Sequence, residues 1–88
     1  MYKYLVEFLG TVFFVYVILA THNPLAIGAA LALVLLLVSS ISGGYINPAV
    51  TIAMANAGKL PTNDVLPYCA AQILGGLTAL EIYKRFKF

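Results

Sequence analysis

Charged residues are scarce in this sequence. They make up 9% of its 88 residues, whereas 62% are hydrophobic; in soluble domains about a quarter of the residues are charged. The formal net charge of +2 is also too small to indicate a nucleic-acid partner, which usually binds a clearly basic domain. The composition therefore excludes an ordinary soluble domain and indicates no binding to nucleic acid.

The residues that carry most enzyme chemistry are equally scarce. A single cysteine, Cys69, can form neither an internal disulfide nor a cysteine-based zinc site. One histidine and three carboxylates provide no paired carboxylates, no metal-ligand cluster and no nucleophile with a base beside it. We predict that the chain is not an enzyme, and we assign it no catalytic residue, no metal and no cofactor.

Long apolar runs are what the sequence does contain. Residues 4–20, 25–41 and 65–83 are each apolar enough for a helix that crosses a bilayer, which takes roughly 20 residues. Residues 48–57 would form a helix about 15 Å long, which is half of the roughly 30 Å hydrocarbon core. We predict an all-α integral membrane protein with three transmembrane helices and one half-length helix between the second and the third.

The half-length helix has a well-marked start. Asn47 is a good N-cap residue, and Pro48 fits the first helical position, where no N–H is needed. Residues 48–57 carry no charge, whereas a helix that lies on the membrane surface usually has a charged face. We predict a re-entrant helix whose positive dipole end lies near the bilayer centre, with a surface-lying helix as the alternative.

Small residues recur at four-residue spacing on two of the long helices. Ala71, Gly75 and Ala79 form one stripe, and Gly28 and Ala32 form a shorter one. In lipid, such stripes allow helix backbones to approach closely. We predict that most of them pack within the chain.

Three motifs resemble those of one known family. The run S-G-G-Y-I-N-P-A-V-T at residues 42–51 resembles the first signature of the aquaporin and glycerol-channel (major intrinsic protein) family. E-F-L-G-T at residues 7–11 is similar to the family's first helix, and Q-I-L-G-G at residues 72–76 to its third. The family usually has two inverted repeats, each with its own Asn-Pro-Ala, and this chain has one. Residues 1–88 therefore resemble a single half-repeat, the N-terminal half.

The resemblance implies roles for five residues. Asn47 would donate its amide N–H to a passing water or hydroxyl, and Pro48 and Ala49 would form the contact between two opposed half-helices. Glu7 would lie buried and accept N–H bonds from the re-entrant loop, while Gln72 would help to position that loop. The alternative for Glu7 is a side chain that reaches the headgroups.

The resemblance also implies an apolar constriction. Val50 stands where the family's second signature has an arginine, and Ile27 aligns with the residue that the second helix contributes to the same narrow point. Gly44 and Leu35 are the other candidates by internal symmetry. Tyr45 replaces a histidine that is common at that position. A pore of this kind would have no arginine at either mouth.

The function implied is a passive channel for water and small neutral solutes such as glycerol. One half-repeat cannot enclose a pore of this type, so we predict an antiparallel homodimer, and the resemblance suggests assembly into a larger ring of pores. The alternatives are a separate partner half, a piece of a longer chain, and a structural membrane protein that conducts nothing.

The basic residues agree with insertion in both orientations. The predicted topology puts Lys3 and Lys59 on one side of the membrane and Lys84, Arg85 and Lys87 on the other. The excess of Lys and Arg in cytoplasmic segments sets the orientation of membrane proteins. Two basic residues against three is a weak bias, which is what an antiparallel pair of identical chains requires.

Overall fold

The structure, a computed structural model, describes residues 2–86 and is almost entirely helical. Helix α1 covers Tyr2–Ala20, α2 covers Pro24–Ser42, α3 covers Pro48–Asn56, and a 3-10 turn at Thr62–Asp64 leads into α4, Val65–Arg85. The described residues contain no strand.

Three of the helical segments are long and apolar enough to cross a membrane. Their mean hydropathies are 1.8 for α1, 2.5 for α2 and 1.4 for the turn with α4. A helix of 19 residues spans about 28 Å, whereas the 9 residues of α3 span about 13 Å at 1.5 Å per residue. The predicted all-α membrane fold is confirmed.

Helix α1 lies at the centre of the packing. It contacts α2 on one side and α4 on the other, and α3 packs against α4. At one end of the bundle Lys3 Nζ lies 2.8 Å from Asp64 Oδ2; at the other end the Tyr16 hydroxyl donates to the Phe86 carbonyl over 2.6 Å. Helices α1 and α4 are therefore parallel. The end with Lys3 is called the A face below, and the end with Tyr16 the B face.

Helices α1 and α4 approach each other closely at Gly75. A Cβ added there would lie 2.8 Å from the Phe8 carbonyl oxygen and 2.9 Å from Thr11 Cβ. Ala79, one turn further on, is fully buried. The stripe on α4 thus packs within the chain, as predicted. The shorter stripe on α2 is the exception, because a Cβ on Gly28 would meet no atom within 4 Å and Ala32 is exposed.

We expect Gly75→Ala to destabilise the protein by about 1–3 kcal/mol, the usual penalty for adding a methyl group to a tightly packed contact. Gly76→Ala is the matched control, because a Cβ there would lie 3.9 Å from Val15 Cγ2 and alanine favours a helix by up to about 1 kcal/mol over glycine. Denaturant unfolding in detergent micelles measures both. Equal unfolding midpoints for the two variants would contradict this crossing point.

The segment between α2 and α3 has an unusual backbone. Gly43 ends α2 with a φ of 91°, and Gly44 follows with a φ of 67°. Ile46 has a φ of 64°, a conformation that costs a β-branched residue roughly 1–3 kcal/mol. Residues 43–47, called the pore loop below because the family resemblance implies that they line a pore, therefore need support from the surrounding side chains.

Candidate functional site

Glu7 supports the pore loop from inside the bundle. Its side chain is fully buried, and each carboxylate oxygen accepts two hydrogen bonds. Oε1 accepts from the Ile46 N–H at 2.8 Å and from Gln72 Nε2 at 2.9 Å. Oε2 accepts from the Ser42 hydroxyl at 2.6 Å and the Tyr45 N–H at 3.1 Å. The side chain does not extend to the headgroup level, and it holds the strained backbone of the loop in place.

Gln72 connects this carboxylate to α3. Besides its bond to Glu7, the Gln72 amide nitrogen donates to Thr51 Oγ1 over 2.8 Å. Thr51 Oγ1 lies 3.0 Å from the Asn47 carbonyl oxygen, to which it donates. Gln72 and Thr51 are both buried. A continuous chain of hydrogen bonds therefore joins α1, α4 and the first turn of α3.

The Ser42 carbonyl, just before the pore loop, and the Ile46 carbonyl, within it, each lie near a side-chain hydroxyl. The Tyr68 hydroxyl donates to the Ser42 carbonyl at 2.8 Å, and the Thr11 hydroxyl lies 3.3 Å from the Ile46 carbonyl oxygen. The carbonyl oxygens of Gly43 and Gly44 lie between those of Ser42 and Ile46 along the chain, and neither accepts a hydrogen bond from residues 2–86. The loop is rigidly held and keeps two backbone acceptors free.

Sequence reasoning missed several members of this cluster. The sequence patterns assign no role to Thr11, Ser42 or Tyr68. A signal was present for two of them, because Thr11 follows Glu7, and Tyr68 precedes Gln72, by four residues, which puts each pair on one helix face.

Asn47 begins α3 and presents its amide nitrogen outward. Its Oδ1 accepts the Ala49 N–H at 2.7 Å, which is the N-cap bond that its position predicts. Its side-chain nitrogen donates to no group in the described part of the chain, and the residue is exposed. Thr11, bonded to the neighbouring Ile46, is the middle residue of α1. The free Asn47 donor therefore lies at about half the depth of the bundle.

An open groove of about 380 Å³ begins at Asn47 and extends between α1 and α4 toward the B face. Polar groups of Thr11, Asn47 and Gln72 are found at its inner end, and its walls are apolar. The remaining lining residues are Phe14, Val15, Ile18, Ile46, Pro48, Ile73, Gly76 and Leu77. Pro48 is half-buried and Ala49 is exposed beside the groove's inner end.

One chain brings together only part of the predicted constriction. Leu35 packs on Gly44, since a Cβ on that glycine would lie 2.7 Å from Leu35 Cδ2. Val50, in the first turn of α3, is 39% exposed. Ile27 is eight residues before Leu35 on α2, which places it about 12 Å closer to the B face.

The electrostatics of the pore loop come from the backbone. The N-terminus of a helix carries roughly half a positive charge, and that of α3 lies at mid-depth. The basic residues of the described chain lie near the two faces, where Lys3 is paired with Asp64 and Lys84 with Glu81. This partial charge favours the lone pairs of neutral molecules and disfavours a cation at the start of α3.

These features define an integral membrane protein with a half-length helix that begins inside the membrane-spanning bundle. The chain belongs to the major intrinsic protein family, whose model matches residues 20–87. The resemblance seen in the three sequence motifs is thereby confirmed.

Curated relatives from several organisms are similar to this chain. It is 40% identical to glycerol uptake facilitator protein-like 6 of Lactiplantibacillus plantarum, over 98% of this chain and 44% of the relative. It is 37% identical to aquaporin Z of Brucella melitensis, over 86% of this chain and 40% of the relative. It is 46% identical to aquaporin AqpM of Methanothermobacter thermautotrophicus, over 67% of this chain and 24% of the relative. The chain spans less than half the length of these relatives. No solved structure gives a significant match.

Proposed function

We propose that this chain builds a passive channel for water and small neutral solutes such as glycerol. The observation that carries the proposal is the pore loop, which has the free Asn47 amide donor at about half the depth of the bundle and the unbonded carbonyl oxygens of Gly43 and Gly44 between Asn47 and the A face. Irregular backbone at membrane depth is tolerated where it is buried in protein or lines a water-filled cavity. The relatives named as aquaporins and as a glycerol uptake facilitator support the same function.

The mechanism needs no covalent chemistry. A water molecule that passes Asn47 accepts the amide N–H and donates to a carbonyl oxygen of the loop, so that it exchanges hydrogen bonds with bulk water for hydrogen bonds with the protein. The positive end of α3 disfavours a cation at the same point. The rigid support from Glu7 keeps the donor and the acceptors in place while the solutes move.

The pore itself requires a second half, and we propose an inverted second copy of this chain. Alone, α3 is covered mainly by α4, and Val50 and Ile52 on its surface remain 39% and 50% exposed. In a copy rotated about a twofold axis in the membrane plane, α3 would begin at the same depth. It would extend toward the B face of the first copy. That is the half of the molecule in which the groove between α1 and α4 is open.

The same rotation would complete the constriction. Ile27 of one copy would come to the depth of Leu35, Gly44 and Val50 of the other, so that each mouth would contain residues from both chains. The two half-helices together would span about 27 Å, close to one hydrocarbon core. Such pairs could further assemble into a larger ring of pores.

Asn47→Asp tests the channel directly. In liposomes that contain only the purified chain, we expect osmotic shrinkage several-fold faster than in empty liposomes, and we expect the variant to lose most of this gain because it lacks the amide donor. Asn63→Asp is the matched control, since Asn63 is exposed beside the A face and its side chain forms no hydrogen bond with the described residues. If liposomes that contain folded wild-type protein shrank no faster than empty liposomes, the proposal would be contradicted. A missing partner half or a structural role would then be favoured.

A further inference from the structure

One face of α2 extends toward the pore loop. Gly28, Ala32, Leu35 and Ser39 are spaced by four, three and four residues, which puts them within about 60° of each other around a helix of 3.6 residues per turn. Near the A face this helix side rests on Gly44. A Cβ there would lie 2.7 Å from Leu35 Cδ2 and 3.0 Å from Ser39 Oγ. The Ser39 hydroxyl therefore lies directly over the pore loop.

This hydroxyl is free to bind a solute. Three other helical hydroxyls lie close to the carbonyl oxygen four residues earlier in the chain. The distance is 2.7 Å for Thr11, 3.3 Å for Ser42 and 3.0 Å for Thr51. Ser39, although also helical, forms no side-chain hydrogen bond with residues 2–86, and it is exposed. The other polar residues of α2 are Ser40 and Ser42, and an unpaired hydroxyl beside the pore loop is best satisfied by water or by a polar solute.

We propose that Ser39 determines solute selectivity at the A-face mouth of the channel. Its hydroxyl and the free carbonyl oxygens of Gly43 and Gly44 form a short polar site beside the apolar Leu35. The site suits small neutral polyols, because a hydroxyl both donates and accepts, the carbonyls accept, and Leu35 contacts the carbon atoms of the solute. This inference rests on the proposed channel function and assigns Ser39 a direct contact with the permeant.

Permeability to glycerol and to water, measured in the same liposomes, tests the inference. Ser39→Ala removes the hydroxyl and little else, so we expect glycerol permeability to fall several-fold while water permeability changes by less than about twofold. Ser40→Ala is the matched control. Ser40 is exposed and follows Ser39 in the sequence, but its side chain points about 100° away around the helix. We therefore expect no change in glycerol or water permeability.

Two results would overturn the inference and leave the channel intact. The first is a wild-type protein that conducts water but no glycerol. The second is an unchanged ratio of glycerol to water permeability in Ser39→Ala, with unfolding midpoints that match the wild type. A wild-type protein that conducts neither would overturn the proposed function itself, and the role of Ser39 with it.

Discussion

Replacement of Glu7 by glutamine is expected to destabilise the folded protein by about 1–6 kcal/mol and to abolish permeation. Four donors converge on the Glu7 carboxylate, and a glutamine keeps only one acceptor oxygen. Its amide nitrogen would face the Ile46 and Gln72 N–H groups or the Ser42 hydroxyl and the Tyr45 N–H, and only the hydroxyl can turn to accept from it, so one or two donors lose their partner. Each buried donor left without a partner costs about 1–3 kcal/mol, and the strained backbone at Ile46 would lose its main support.

Denaturant unfolding in detergent micelles, followed by helix content, measures this loss. Glu81→Gln is the control, because Glu81 is 58% exposed at its side chain and its ion pair with Lys84 is 3.5 Å long; such surface pairs contribute at most about 1 kcal/mol. If both variants unfolded at the same denaturant concentration, Glu7 would not be the support of the pore loop.

A pair of orientation-locked variants should lose water flux separately and recover it together. Lys59→Gln leaves one basic residue on the A face against three toward the other end, and replacement of Lys84, Arg85 and Lys87 by glutamine leaves two against none. Because basic residues are retained in the cytoplasm, we expect the two variants to insert in opposite single orientations. If the pore needs two inverted copies, each variant alone should give background shrinkage, and co-expression should restore most of the wild-type rate.

Membrane vesicles from expressing cells allow this measurement, with an epitope at one terminus to report orientation. Flux from either variant alone, once its single orientation is verified, would contradict the inverted pair. The absence of recovery on co-expression would contradict it as well, provided that both chains are present at wild-type amounts. A partner half of different sequence would then be the better explanation for how the pore is completed.

Local signals account for what the sequence could predict of the fold. Apolar runs of membrane-spanning length mark the three long helices, and an Asn followed by Pro marks the start of α3 because both effects act within one turn. The position of the pore loop could also be predicted, since glycines and a capped helix follow an apolar run without any basic residue. These features need no knowledge of which helices touch.

The support of the loop could not be predicted in the same way. Glu7 and Gln72 are 65 positions apart, and whether they meet depends on the parallel packing of α1 and α4 over Gly75. The positive φ of Ile46 runs against the local preference of a β-branched residue, so only the surrounding hydrogen bonds can impose it. The small residues on α2 failed as predictors of packing for the same reason, because spacing identifies a possible contact surface and leaves its partner open.

The separation of Glu7 from its partners also matters while the chain is being made. Glu7 is translated before every residue that donates to its carboxylate, because three of its four donors come from residues 42–46 and the fourth from Gln72. At roughly 5–20 residues per second, Gln72 is translated about 3–13 s after Glu7. During that interval the Glu7 carboxylate lacks its hydrogen-bond donors. The release of α1 into lipid is therefore expected to wait until residues 42–72 have been made.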